Sequence, residues 1–121
     1  MKLSEALAQL AAVKPHSYAD ETLYGWLTEL EWLIYEEVAL THRDAPEAPP
    51  APYTVGGEDA ELMVPDPYSK LYISFLAARI DFSNGDYGRY NNDMMMYNAD
   101  LQAYTDWYNR RRLPLQQPLR W

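Results

Sequence analysis

Few of the side chains able to do chemistry stand at a working spacing. The chain has two histidines, His16 and His42, and no cysteine. Without thiols, neither disulfides nor thiolate metal sites can form. Glu36 and Glu37 lie close to His42, but neither is three or four residues away on the same helical face. The carboxylate–histidine spacing with which helical bundles hold di-iron centres is therefore missing, as is the HExxH pattern. His42 reads instead as a cation at a helix C-terminus, and the two glutamates as solvated helix residues. Gly56-Gly57 lacks the Lys-Ser/Thr that completes a phosphate-binding loop. No Ser, Lys or Asp sits in a nucleophile context, so no constellation meets the requirements of an active site. The chain reads as a non-enzyme that needs no cofactor and no metal. What remains for chemistry is binding, and the candidate contact residues are Arg110, Arg111, Arg112, Arg120 and Trp121.

Those residues must be positioned, and the periodicity supplies helices to do it. Leu62 to Leu113 reads as one helical hairpin. Asp66 is the expected N-cap and Pro67 the first helical residue, where its missing N–H costs nothing. A helix then passes through Leu71, Tyr72, Phe75, Ile80 and Phe82. Asn84-Gly85 stops it, because both residues tolerate the left-handed conformation. Asp86 restarts a longer helix with the seam Tyr87, Tyr90, Met94, Tyr97, Leu101, Tyr104 and Tyr108, spaced alternately by three and four. This seam makes Tyr97 and Leu101 expected core positions. The arginines at 110–112 fall in its last turn, facing the negative end of the helix dipole. Leu113-Pro114 ends it.

Upstream, Leu3, Leu7 and Leu10 mark a short helix to about Val13, stopped by Lys14-Pro15. Ser17 and Asp20 have capping-box spacing for a second helix, from about Ala19 to Thr41. Its stripe is Leu23, Trp26, Leu27, Leu30, Leu33, Ile34 and Val38, with Tyr24, Trp32 and Tyr35 as a second, aromatic flank. Residues 43–61 differ in kind. Pro46, Pro49, Pro50 and Pro52 precede Gly56-Gly57 and the acids Glu58, Asp59 and Glu61, so a long flexible loop is expected. Tyr53-Thr54-Val55 and Leu62-Met63-Val64 are candidates for a small hairpin across the glycines. Residues 113–121 read as an extended tail. The fold class is therefore all-α: a single domain over 1–121 with four main helices, a long Pro-rich loop and a C-terminal helical hairpin.

A length of 121 residues suits one domain with a real core. No stretch is long and apolar enough for a bilayer, and the first residues lack a signal peptide's apolar run, so folding in a cytoplasm is expected. The net charge of −8 is unevenly spread. Residues 1–42 hold two Lys and seven acids, −5; residues 43–66 hold one Arg and six acids, −5; residues 67–121 hold seven bases and five acids, +2. An acidic total disfavours general nucleic-acid binding. The split either reflects ordinary solvated surface or steers a basic end onto an acidic neighbour. Eleven Tyr and four Trp against two Phe favour half-wet seams and interfaces.

Three groups of residues carry a family resemblance. They are Tyr18-Ala19-Asp20-Glu21 with Trp26-Leu27-Thr28-Glu29-Leu30 and Ile34-Tyr35-Glu36-Glu37-Val38; then Glu61 to Tyr68 with Asn84-Gly85 and Arg89-Tyr90-Asn91-Asn92; and Trp107-Tyr108-Asn109-Arg110. Together they resemble a family of small proteins of tailed bacteriophages and prophages, encoded among head and tail structural genes. The order of helices is similar to that of all-helical head–tail connector (adaptor) proteins. The resemblance implies a ring homo-oligomer on the portal, at the virion neck, touching portal and tail or head-closure proteins. DNA would pass through without specific binding, no membrane would be involved, and no catalytic residues carry over. The alternative is a non-virion prophage regulator that binds another protein.

Overall fold

The computed structural model describes residues 1–41 and 49–111. His42, Arg112, Arg120, Trp121 and the tail 113–121 lie outside the described residues, as does the first part of the Pro-rich loop. The fold is all-α. Four helices follow in order: α1 Leu3–Val13, α2 Asp20–Glu37, α3 Leu71–Ser83 and α4 Tyr87–Arg111. Two single 3₁₀ turns, Ala39–Thr41 and Tyr68–Lys70, flank the loop.

The central element is α3. Leu71, Tyr72, Leu76, Ala77, Ala78 and Ile80 are all buried, on more than one side of the helix. A helix apolar on several sides needs several neighbours, and α3 packs on α1, on α2 and most extensively on α4. The α3–α4 turn is a Schellman motif: Asp86 N–H donates to the Asp81 carbonyl and Gly85 N–H to that of Phe82. Gly85 takes φ +76°, which a side chain would resist. Asp86 then accepts from Arg89 N–H and caps α4.

Several local expectations shift. Asp66 does not cap a helix: the Asp66–Pro67 peptide is cis, its carboxylate accepts from the Ser69 hydroxyl, and α3 begins at Leu71 after the 3₁₀ turn. Ser17 and Asp20 form no capping box; Ala19 precedes α2 with no side-chain cap, while Asp20 and Glu21 face the positive end of the dipole. The helical part of α2 stops at Glu37, not Thr41. Its buried line is Leu23, Leu27, Leu30, Glu31, Ile34 and Tyr35, so the stripe turns toward Glu31 and Tyr35 and leaves Leu33 41% exposed. One residue turns a helix by 100°, enough to carry Leu33 off the line through Ile34.

On α4, Tyr97, Tyr104 and Tyr108 are buried, Tyr90, Met94 and Leu101 are half-buried, and Tyr87 is exposed. A seven-residue repeat on a straight helix drifts by about 20° per heptad, so a long seam cannot stay on one contact line. The small hairpin across the glycines is absent. Residues 1–3 pair instead with residues 60–62: Leu3 N–H donates to Ala60 and Leu62 N–H to Met1. Thr54 to Gly57 closes a β-turn in which Gly56 has φ +80°.

Candidate functional site

Two polar centres lie among the buried residues. The first is Glu31, 1% exposed on the inner line of α2. Its carboxylate accepts from the Tyr53 hydroxyl at 2.6 Å, the Met63 N–H at 2.8 Å and the Tyr72 hydroxyl. Tyr72 Oη in turn accepts from Val64 N–H at 2.9 Å. Burial raises the Glu31 pKa, and the three hydrogen bonds partly restore its acidity. The same burial, with the Glu31 charge, pushes both phenols up. The Glu31 carboxylate borders the cleft between α2 and the loop. It ties α2 to the Pro-rich loop, to residues 62–64 and to α3, because a buried charge is tolerable only when fully hydrogen-bonded.

The second half of the expected loop is held at four points. Tyr53 reaches Glu31 and also donates its N–H to Thr28. Asp59 accepts from Ser4 N–H at 2.9 Å and Ser4 Oγ at 2.6 Å at the start of α1. Those bonds lower the Asp59 pKa. Glu61 pairs with the Met1 ammonium at 2.8 Å. A cleft of about 350 Å³ remains between this segment and α2, lined by Tyr35, Pro50, Pro52, Glu58, Glu61 and Met63.

The second centre joins three helices. Lys14, just past α1, lies 2.9 Å from Asp81 on α3, which is 3% exposed. Asp81 is electrostatically coupled to Asp93 on α4, and the Oδ2 atoms of both carboxyl groups are buried with no hydrogen-bond partner unless one of them carries a proton. Two coupled, partly buried carboxyl groups cannot both ionise cheaply, which favours a proton on one of them. Burial and the Asp81 charge push Asp93 up to about 7. Burial pushes Asp81 up as well, but the bond from Asp93 and the Lys14 ammonium outweigh it and hold Asp81 below its usual value. Both groups are consumed by packing α1, α3 and α4 together.

Of the expected contact residues, Arg110 and Arg111 close α4; Arg110 is exposed, and the Arg111 guanidinium lies 5.3 Å from the Trp107 ring centroid. This stacking holds one arginine along the helix end while leaving its charge accessible. His16 takes part in a local turn, accepting from Tyr18 N–H. Among the described residues no group of three or more His, Asp or Glu is placed to hold a metal, and no helix is long and apolar enough to cross a membrane.

Contact surfaces are therefore the strongest functional feature of the described residues. Trp32 and Leu33 expose 38% and 41% of their area on the outer side of α2, with Leu40 beyond them. Val13 and Met96 are exposed along a groove between α1, α3 and α4, and Met95 is exposed on α4 outside it. Phe82 and Tyr87 pack edge to face at the hairpin tip, 5.7 Å apart. Sequence reasoning placed Leu33 in the core and did not single out Met96, because periodicity marks an apolar line without saying which neighbours arrive to cover it. Comparison with protein-family models, curated proteins and solved structures gives no significant match.

Proposed function

We propose that this chain is a head–tail connector (adaptor) subunit of a tailed bacteriophage or prophage, assembled as a ring below the portal at the virion neck. The observation that carries the reading is the presence of exposed apolar side chains on two separate faces, the outer side of α2 and the α1–α3–α4 groove. A ring subunit meets a different patch of its neighbour on each side, so it needs two unlike faces. The resemblance in residues 18–38, 61–68, 84–92 and 107–110 supports the same reading. So does the acidic total, which repels the DNA backbone and lets it slide without specific binding. In this role the protein is not an enzyme and needs no cofactor; its partners are other copies of itself, the portal, and tail or head-closure proteins. The basic stretch Arg110, Arg111, Arg112, Arg120 and Trp121 serves as one subunit or portal contact.

The test mixes the protein with portal-bearing, DNA-filled heads. Full-length protein is expected to attach and support tail joining, and a form lacking residues 113–121 to attach less well. Equal performance of the two forms removes the tail from the contact. Failure of both to bind heads, with absence from purified virions, rejects the connector. The reading then passes to a non-virion regulator, for which the acidic cleft beside Glu58 and Glu61 is the natural seat for a basic partner segment.

A further inference from the structure

The cleft beside α2 has walls fixed by the fold. It encloses about 350 Å³, at the low end of the ~300–1,000 Å³ typical of ligand sites. Its apolar lining comes from Tyr35 on α2 and from Pro50, Pro52, Tyr53 and Met63 of the loop segment. Tyr53 bonds Glu31 and Thr28, and the Met63 N–H bonds Glu31, so this lining is preformed. No Lys, Arg or His lines the cleft. Of its three carboxylates, that of Glu31 is satisfied by hydrogen bonds and that of Glu61 carries the Met1 ammonium. Glu58 is exposed and has no ion pair among the described residues. Lys2, outside the lining, acts on Asp59. The cleft therefore suits an apolar segment that carries one cation and no acid.

Residues 113–121, Leu-Pro-Leu-Gln-Gln-Pro-Leu-Arg-Trp, have that composition, with Arg120 their only charged side chain. Residues 42–48 do not: Arg43 is outweighed there by Asp44 and Glu47, and no large apolar residue accompanies it. Pro114 and Pro118 favour an extended backbone, and extended proline-bearing segments are what aromatic-lined grooves accept. The chain length also fits. The end of α4 is held at Tyr68, whose ring lies 5.5 Å from that of Trp107, with Arg111 over Trp107. Tyr68 is five residues past Met63 in the cleft lining, at most ~18 Å of chain. Arg120 is nine residues past Arg111, a reach of ~30 Å. We propose that residues 113–121 seat in the cleft of their own chain, with the prolines and leucines against Tyr35, Pro52 and Tyr53 and Arg120 beside Glu58. Attachment through α4 gives the tail a high effective concentration at this site. The inference does not rest on the connector reading. It adds that a seated tail is withheld from other copies, and that a neck contact made by the same residues requires its release.

The chain has no cysteine, so introduced pairs report without background. Ala51 is exposed and lines the cleft, whereas Gln9 is exposed and lines the α1–α3–α4 groove. Ala51→Cys with Leu119→Cys, in the dilute full-length chain under mild oxidant, is expected to give a disulfide-closed monomer. Its yield should be several-fold above that of Gln9→Cys with Leu119→Cys. Glu58→Lys should lower the yield several-fold, and adding Arg120→Glu should restore it; far-UV circular dichroism checks that each variant folds. In parallel, a fluorescently labelled peptide of residues 112–121 is titrated into the chain lacking residues 113–121 and into the full-length chain. Saturable binding to the truncated chain is expected, at least tenfold weaker to the full-length one, whose own tail competes. Equal closure of the Ala51 and Gln9 pairs overturns the proposal. Disulfide dimers in place of closed monomers mean that the tail enters a second copy, and overturn it as well. So does the absence of saturable binding to the truncated chain, or equal binding to both chains. Head attachment enters none of these readouts, so they stand or fall apart from the connector test.

Discussion

Replacing Asp93 by Asn should stabilise the protein above neutral pH and change little at or below pH 4. Asparagine is isosteric with the protonated acid and can donate the same hydrogen bond to Asp81. In the native chain the Asp93 pKa stands at about 7 against 3.8 for an ordinary aspartate, a difference of about 3 units. A folded-state pKa raised above the unfolded one contributes stability fully present below the unfolded value and lost as pH rises through the folded value. At ~1.4 kcal/mol per unit the ceiling is about 4 kcal/mol. Asp93 is partly accessible and Lys14 and Arg89 lie near it, so screening reduces the effect to roughly 1–2 kcal/mol.

The window of loss is therefore about pH 4 to 7, steepest midway between the two values. Asp81 acts with the opposite sign: its lowered pKa contributes stability that is present at neutral pH and lost in acid. The Met1 ammonium, held up by its bond to Glu61, loses its contribution as pH rises above its ordinary value, equally in both proteins. The difference between native and Asp93→Asn proteins thus isolates the dyad. Urea unfolding followed by far-UV circular dichroism at pH 4.0 and 8.5 measures it. The expected difference is within ~0.5 kcal/mol at pH 4.0 and ~1–2 kcal/mol in favour of the variant at pH 8.5. An equal difference at both pH values, or a less stable variant at pH 8.5, refutes the shared proton.

Glu31→Ala should cost about 3–5 kcal/mol in urea unfolding, because it strands two phenols and the Met63 N–H inside the core; a cost below ~1 kcal/mol would mean the knot is solvated. Leu27→Ala, at a fully buried site, should cost about 2–5 kcal/mol, whereas Leu101→Ala, at a half-buried one, should cost roughly 1–2 kcal/mol. Equal losses from the same unfolding series would contradict the assigned burial. In hydrogen exchange, the amides of Leu3, Leu62, Met63 and Val64 should be strongly protected, while that of Val55 exchanges at least tenfold faster; equal rates would count against the anchored segment.

The all-α class, the four helices and the Asn84-Gly85 turn follow from the sequence alone. Each rests on local physics: helical spacing of Leu23, Leu27 and Leu30, a proline after Lys14, and a glycine able to take positive φ. These signals act within a few residues, so no partner is needed to read them.

Other features depend on residues distant in the chain. Glu31 looks like any other glutamate of an acidic helix until Tyr53, Met63 and Tyr72, 22 to 41 positions away, turn toward it. The hydrogen bonds between residues 1–4 and 59–62 likewise join segments that give no local sign of each other. The same is true of Lys14, Asp81 and Asp93, whose shared proton arises only when three helices bring like charges together. The exposure of Leu33 and Met96 was also decided in three dimensions. A hydrophobic period states that a face wants cover, but the number of helices that reach it is a property of the packed chain. Here α3 takes neighbours on three sides, and the outer face of α2 and the groove beside α4 are left open because no further helix arrives among the described residues.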